Sequence, residues 1–86
     1  MKVIWFEEAW DDYLYWQTQD KKTLQKVNRL LKDIDRNRYD CMGKFELLKE
    51  DLSGWASCRI DQANRIVFRI EENKLIITQC RGHYKK

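Results

Sequence analysis

Residues 56–79 read Ala56-Ser-Cys-Arg-Ile60, Asp61-Gln-Ala-Asn64, Arg65-Ile-Val-Phe-Arg-Ile70, Glu71-Glu-Asn73 and Lys74-Leu-Ile-Ile-Thr-Gln79. Three short runs rich in β-branched and apolar residues, separated by polar groups three or four residues long, predict strands joined by hairpin loops. Working back toward the N-terminus, a short strand around Phe45 to Leu48 precedes a polar turn region at Glu50 to Gly54. Asn37 to Gly43 follows neither periodicity and carries a glycine, so it is the connection into the sheet. Before it the spacing is helical. Leu24, Val27, Leu30, Leu31 and Ile34 mark one face of an amphipathic helix that Asp20 N-caps and that runs to about Arg36. From Phe6 to about Gln19, Phe6, Ala9, Trp10, Tyr13, Leu14 and Trp16 recur mostly three or four apart, with Glu7 and Glu8 where a helix dipole favours them. Lys2 to Trp5 reads as an opening strand. Helices first and hairpin-joined strands afterwards predict an α+β fold, with a two-helix hairpin packed on one face of a mostly antiparallel sheet. The other face is then left for a ligand.

The 86 residues make one domain, residues 1–86, with neither repeat nor linker. A hydrophobic share of 43% with 36% charged residues and no proline is that of a folded, charged module rather than a disordered one. No run approaches the roughly 18 apolar residues of a membrane span, and the first residues run straight into acidic ones, so the expected location is the cytosol and no membrane partner is expected. Cys41, Cys58 and Cys80 are widely spaced and odd in number, which predicts reduced thiols. One histidine and no CxxC argue against a zinc site, and no cofactor is expected. Net charge is only +3, but its distribution is uneven. Residues 1–20 carry one basic side chain against five acidic ones, while residues 21–49 carry nine against four. An acidic head with a basic remainder orients a polyanion toward one side, although solvated helix faces alone give such patterns.

The helix-borne aromatics Trp10, Tyr13 and Trp16 are read as core or interface residues. The chemistry-bearing side chains lie on or beside the strands: Glu46, Lys49, Arg59, Arg65, Arg81 and His83. Cutting RNA without a metal needs a base for the 2′-hydroxyl, cations for the phosphate and an acid for the leaving 5′-oxygen. Glu46 fits the base, His83 the acid, and arginine the phosphate, because its planar fork matches two oxygens and stays charged. Tyr84 is placed to stack a base. Whether Arg59 and Arg65 share a face depends on the loop between them. A four-residue loop sends them to opposite faces, and an odd-length loop or a bulge brings them together. Arg81 and His83 share a face by period two, but Leu75 and Ile77 share it as well.

The opening Met-Lys-Val-Ile-Trp, Trp10-Asp-Asp-Tyr-Leu-Tyr-Trp16, Gly43-Lys-Phe-Glu-Leu-Leu-Lys49, Leu52-Ser-Gly-Trp55, Arg59-Ile60 with Arg65-Ile-Val-Phe68, and Cys80-Arg-Gly-His-Tyr84 together resemble the YoeB (Txe/YoeB) toxin family of the RelE superfamily. The resemblance spans nearly the whole chain in one order. It implies a microbial-RNase-like α+β fold and a bacterial toxin of a type II toxin–antitoxin pair, an endoribonuclease that cuts mRNA in the A site of the 70S ribosome. By position, Glu46 resembles the family's general base, His83 its general acid and Arg65 its transition-state arginine. Lys49 and Arg59 look like phosphate-contacting residues, and Tyr84 like the tyrosine that places the substrate. The partners it implies are a YefM (Phd/YefM) antitoxin, operator DNA through the antitoxin complex, and a second copy of the chain.

The chain departs from the family pattern at several positions. Phe45 and Leu47 replace prolines flanking the glutamate, which predicts a less rigid strand there. Asn64 stands where a histidine commonly precedes the arginine, Cys58 and Gly82 replace bulkier or basic residues, and Lys85 and Lys86 follow the tyrosine. These substitutions keep open a second class of function, a catalytically weakened ribosome- or antitoxin-binding module, beside the nuclease. A general, ribosome-independent RNase is the third.

Overall fold

The computed structural model describes residues 1–40 and 45–82, with the backbone alone at Phe45. Strand β1 (Lys2–Trp5) leads into helices α1 (Glu7–Gln19) and α2 (Lys21–Asn37). Strands β2 (Phe45–Leu47), β3 (Ala56–Arg59), β4 (Arg65–Glu71) and β5 (Lys74–Gln79) follow. They form one sheet of order β1-β5-β4-β3-β2. Strand β1 runs parallel to β5 and every other pair is antiparallel, as the α+β pattern predicts. The connection predicted at Asn37 to Gly43 is described only as far as Asp40, where Arg38–Asp40 form a 3-10 turn, and Cys41 to Gly43 lie outside the described residues.

Local chemistry explains the helix boundaries. Phe6 holds an extended backbone ahead of α1, and Glu7 and Glu8 occupy the first turn. At Asp20 the chain ends α1 and starts α2. Asp20 Oδ1 accepts from the Thr23 N–H at 3.1 Å and Oδ2 accepts from the Thr23 hydroxyl at 2.7 Å, so the predicted N-cap is present. The buried stripe of α2, Val27, Leu30 and Ile34, meets Ala9 and Trp16 of α1 and one face of the sheet. That face is Ala56, Cys58, Ile66, Phe68, Leu75 and Ile77. The aromatics of α1 divide: Trp16 is core, whereas Trp10 is 43% exposed and packs edge-on against Trp5.

Two irregularities set up the face turned away from the helices. The β4–β5 hairpin closes through Glu72 and Asn73, both at positive φ, a two-residue turn whose twist suits the strands. Farther along, Phe68 lies opposite Ile77 but Val67 lies opposite Gln79, so β5 carries one extra residue, Thr78. The bulge flips the end of β5. Leu75 and Ile77 stay in the core, while Gln79 joins Val67 on the other face. No helix among the described residues is long and apolar enough to cross a membrane.

Candidate active site

The strand register brings Glu46, Arg59 and Arg65 to one face. Glu46 lies opposite Ser57, Ser57 opposite Val67, and Val67 opposite Gln79, a row running across four strands. Two residues along β3, Arg59 lies directly opposite Arg65. Five residues, 60–64, separate the two arginines, and this odd number resolves the open register. Ser57, Val67 and Gln79 are buried on this face.

Like charges directly opposite across a sheet repel. Neither Arg59 nor Arg65 has a carboxylate within ion-pair distance among the described residues. Arg65 is instead steered by a buried hydroxyl, its Nη1 donating to Ser57 Oγ at 3.1 Å. Since Ser57 is the cross-strand partner of Glu46, the guanidinium reaches back toward the row that carries the carboxylate. Glu46 itself is exposed and is bound by no cation among the described residues. Two unneutralised guanidinium groups on the same face as an exposed carboxylate are the inventory that holding an anion next to a base would need. Strand β2 pairs with β3 at all three of its positions. Lys49 lies past the end of β2, exposed, with no hydrogen bond or ion pair to Glu46, Arg59 or Arg65. His83 and Tyr84 lie outside the described residues.

Several residues around this face were not singled out from sequence as site residues. Ser57 steers Arg65, and a lone serine in a strand carries no signal of that role. The Asp61 carboxylate accepts from the N–H groups of Ala63 (2.8 Å) and Asn64 (2.9 Å) and from the Asn64 side chain, fixing the β3–β4 loop. Asn64 Oδ1 then accepts from the Gly82 N–H at 2.8 Å, and the Gly82 carbonyl accepts from the Arg65 N–H at 3.0 Å. Gln79 Nε2 donates to the carbonyls of Arg81 and Gly82 at 3.3 and 3.4 Å.

Arg81 packs against the first helix, and His83, expected to share its face, lies outside the described residues. The Arg81 side chain turns to α1, with Nε 3.6 Å from Asp12 Oδ1 and the guanidinium 4.0 Å from the Tyr15 ring centroid. Asp12 Oδ2 accepts from the Cys80 N–H at 3.0 Å. Burial raises the Asp12 carboxyl above its ordinary 3.8, against the lowering effects of that hydrogen bond and of Arg81. The folded protein therefore binds the proton more readily than the unfolded chain does, and Asp12 lowers stability as pH rises from 3.8 through its raised value. Asp12→Asn keeps an oxygen for the Cys80 N–H and removes the titration. Thermal melts across the weakly acidic range are expected to show the variant gaining stability relative to wild type as pH rises. A constant difference would place the titration elsewhere. The Cys80 thiol is pushed up to about 12, chiefly by burial, which makes it inert as a nucleophile at neutral pH.

Residues 5–84 match the family described as YoeB-like toxin of bacterial type II toxin-antitoxin system. The chain belongs to this family. Among YoeB relatives, Toxin YoeB of Escherichia coli K12 is 49% identical over 84 residues, covering 98% of this chain and all of that one. The YoeB/ParE toxin from Agrobacterium tumefaciens superposes with a TM-score of 0.93 at 38% identity, covering 98% of this chain and all of that one. YoeB of Staphylococcus aureus, seen in a heterotetrameric YoeB–YefM complex, superposes at 0.90 with 40% identity and 98% coverage of both chains. A YoeB dimer from Staphylococcus aureus superposes at 0.89.

Proposed function

We propose that this YoeB-family chain is a ribosome-dependent mRNA endoribonuclease, cutting in the ribosomal A site and so inhibiting translation. The observation that carries this reading is the face-to-face pair Arg59 and Arg65, unneutralised and beside Glu46 on one sheet face. A scissile phosphate between the arginines relieves their repulsion and is held as charge develops on it. Glu46 takes the 2′-hydroxyl proton, and the 2′-oxygen attacks phosphorus. The bond to the 5′-oxygen breaks, leaving a 2′,3′-cyclic phosphate, and His83 supplies the proton to the departing oxygen. Tyr84 stacks a neighbouring base and Lys49 contributes positive charge at the rim. The reaction needs no metal or cofactor.

By likeness to the Staphylococcus aureus complex and dimer, the toxin binds a YefM-type antitoxin and forms a homodimer; the family resemblance further implies that the antitoxin holds it inactive and that it meets operator DNA only through that complex. The stripe Phe6, Trp10 and Leu14, each about 40% exposed or more, supports a protein partner on α1.

Primer extension on one defined mRNA, with and without programmed ribosomes, tests the reading alongside Glu46→Ala and His83→Gln. The expected result is a cut at the A-site codon only when ribosomes are present, lost in both variants. Ribosome binding with no cut in any lane would favour the weakened binding module instead. Rapid, unselective cutting of naked RNA would favour a general RNase.

A further inference from the structure

We infer that Asn64 is a positioning residue, one that holds the backbone at Gly82, the residue preceding His83 in sequence, against the start of the strand that carries Arg65. Gly82 is held from two sides by consecutive residues. Its N–H donates to Asn64 Oδ1 at 2.8 Å, and its carbonyl accepts from the Arg65 N–H at 3.0 Å. Gly82 sits at φ +79°, a conformation that side chains rarely adopt, so the backbone turns sharply at the clamp. Asn64 is itself preset. Asp61 accepts from its backbone N–H and, through both carboxylate oxygens at 3.0 and 3.1 Å, from its side-chain amide, which fixes the amide with its oxygen toward Gly82. The residue that carries the clamp and the residue that carries the transition-state charge are therefore neighbours on one strand entry, and a shift in one is felt by the other.

A neutral histidine presents a ring nitrogen at about the place of the asparagine oxygen, and either atom accepts from the Gly82 N–H. Alanine presents none. This inference rests on the nuclease reading above, in which the residue after Gly82 in sequence, His83, supplies the proton.

Two readouts on the full-length protein separate the clamp from the chemistry. Amide hydrogen exchange reads the Gly82 N–H without ribosomes, and single-turnover cutting in programmed ribosomes reads the consequence. Asn64→Ala is expected to lower Gly82 protection by about tenfold or more. Its cutting rate at saturation falls about 10- to 100-fold, with half-saturation by ribosomes unchanged. Asn64→His is expected to restore both. Unchanged Gly82 protection in Asn64→Ala overturns the clamp, and lost protection with an unchanged cutting rate overturns the positioning role. A rate loss that histidine does not restore also overturns it. A wild-type protein that cuts nothing overturns the nuclease reading and the catalytic half of this inference with it, while the exchange result still decides the clamp.

Discussion

Arg65→Ala is expected to slow cutting in programmed ribosomes by about 10²–10³-fold, the loss typical of removing one group aimed at developing charge. The protein itself should not suffer. Arg65 sits opposite Arg59 with no carboxylate partner among the described residues, so removing it relieves a repulsion. Its one side-chain hydrogen bond among the described residues, to Ser57 Oγ, leaves behind a hydroxyl that can rotate. The melting temperature is therefore expected to hold or rise slightly while activity collapses, the opposite of what a structural arginine gives. Arg65→Lys keeps the charge and loses the planar fork, and its rate is expected to fall between the two. A cutting rate for Arg65→Ala within about threefold of wild type would sink the transition-state role.

The largest expected loss of stability comes from Trp16. It is core, and its indole N–H donates to the Cys80 carbonyl at 2.8 Å, tying α1 to the end of β5. Trp16→Ala opens a cavity among Ala9, Val27 and the sheet face, a change that costs about 3–5 kcal/mol, and leaves a buried carbonyl without its donor. Against a net stability of about 5–15 kcal/mol for a small domain, that removes a large share of the total. Trp16→Phe fills most of the space and loses the bond, so its cost is expected near 1–3 kcal/mol. Urea unfolding measures both through the transition midpoint at constant slope. Equal midpoints for Trp16→Phe and wild type would show that the tie to Cys80 contributes nothing.

Element types were legible in the sequence because they rest on local periodicity. Lys74–Gln79 is the strand its composition predicts, and α2 starts where Asp20 can accept from Thr23. Lys2–Trp5 likewise pairs as the opening strand, although its parallel partner β5, more than 70 positions away, leaves no local trace. The aromatics of α1 were harder to sort. Trp10 and Trp16 look alike in sequence, but only Trp16 lies on the face that α2 and the sheet enclose, which burial and not spacing decides.

The chemical inventory was likewise in the sequence: a carboxylate, arginines with a planar fork and a single imidazole near the end of the chain. The sequence by itself determined the α+β class, the motif series of the YoeB family and the candidate residues Glu46, Arg59 and Arg65. Only the tertiary structure decided that the two arginines face each other, since one residue more or less in the loop reverses a strand's faces. Only it showed that a bulge at Thr78 returns Gln79 to their face while Arg81 leaves for Asp12. Hydrogen bonds donated to Ser57 Oγ and Asn64 Oδ1 then fix where Arg65 and Gly82 sit. Such contacts join residues distant in the chain and depend on register, and a two-residue period does not encode register.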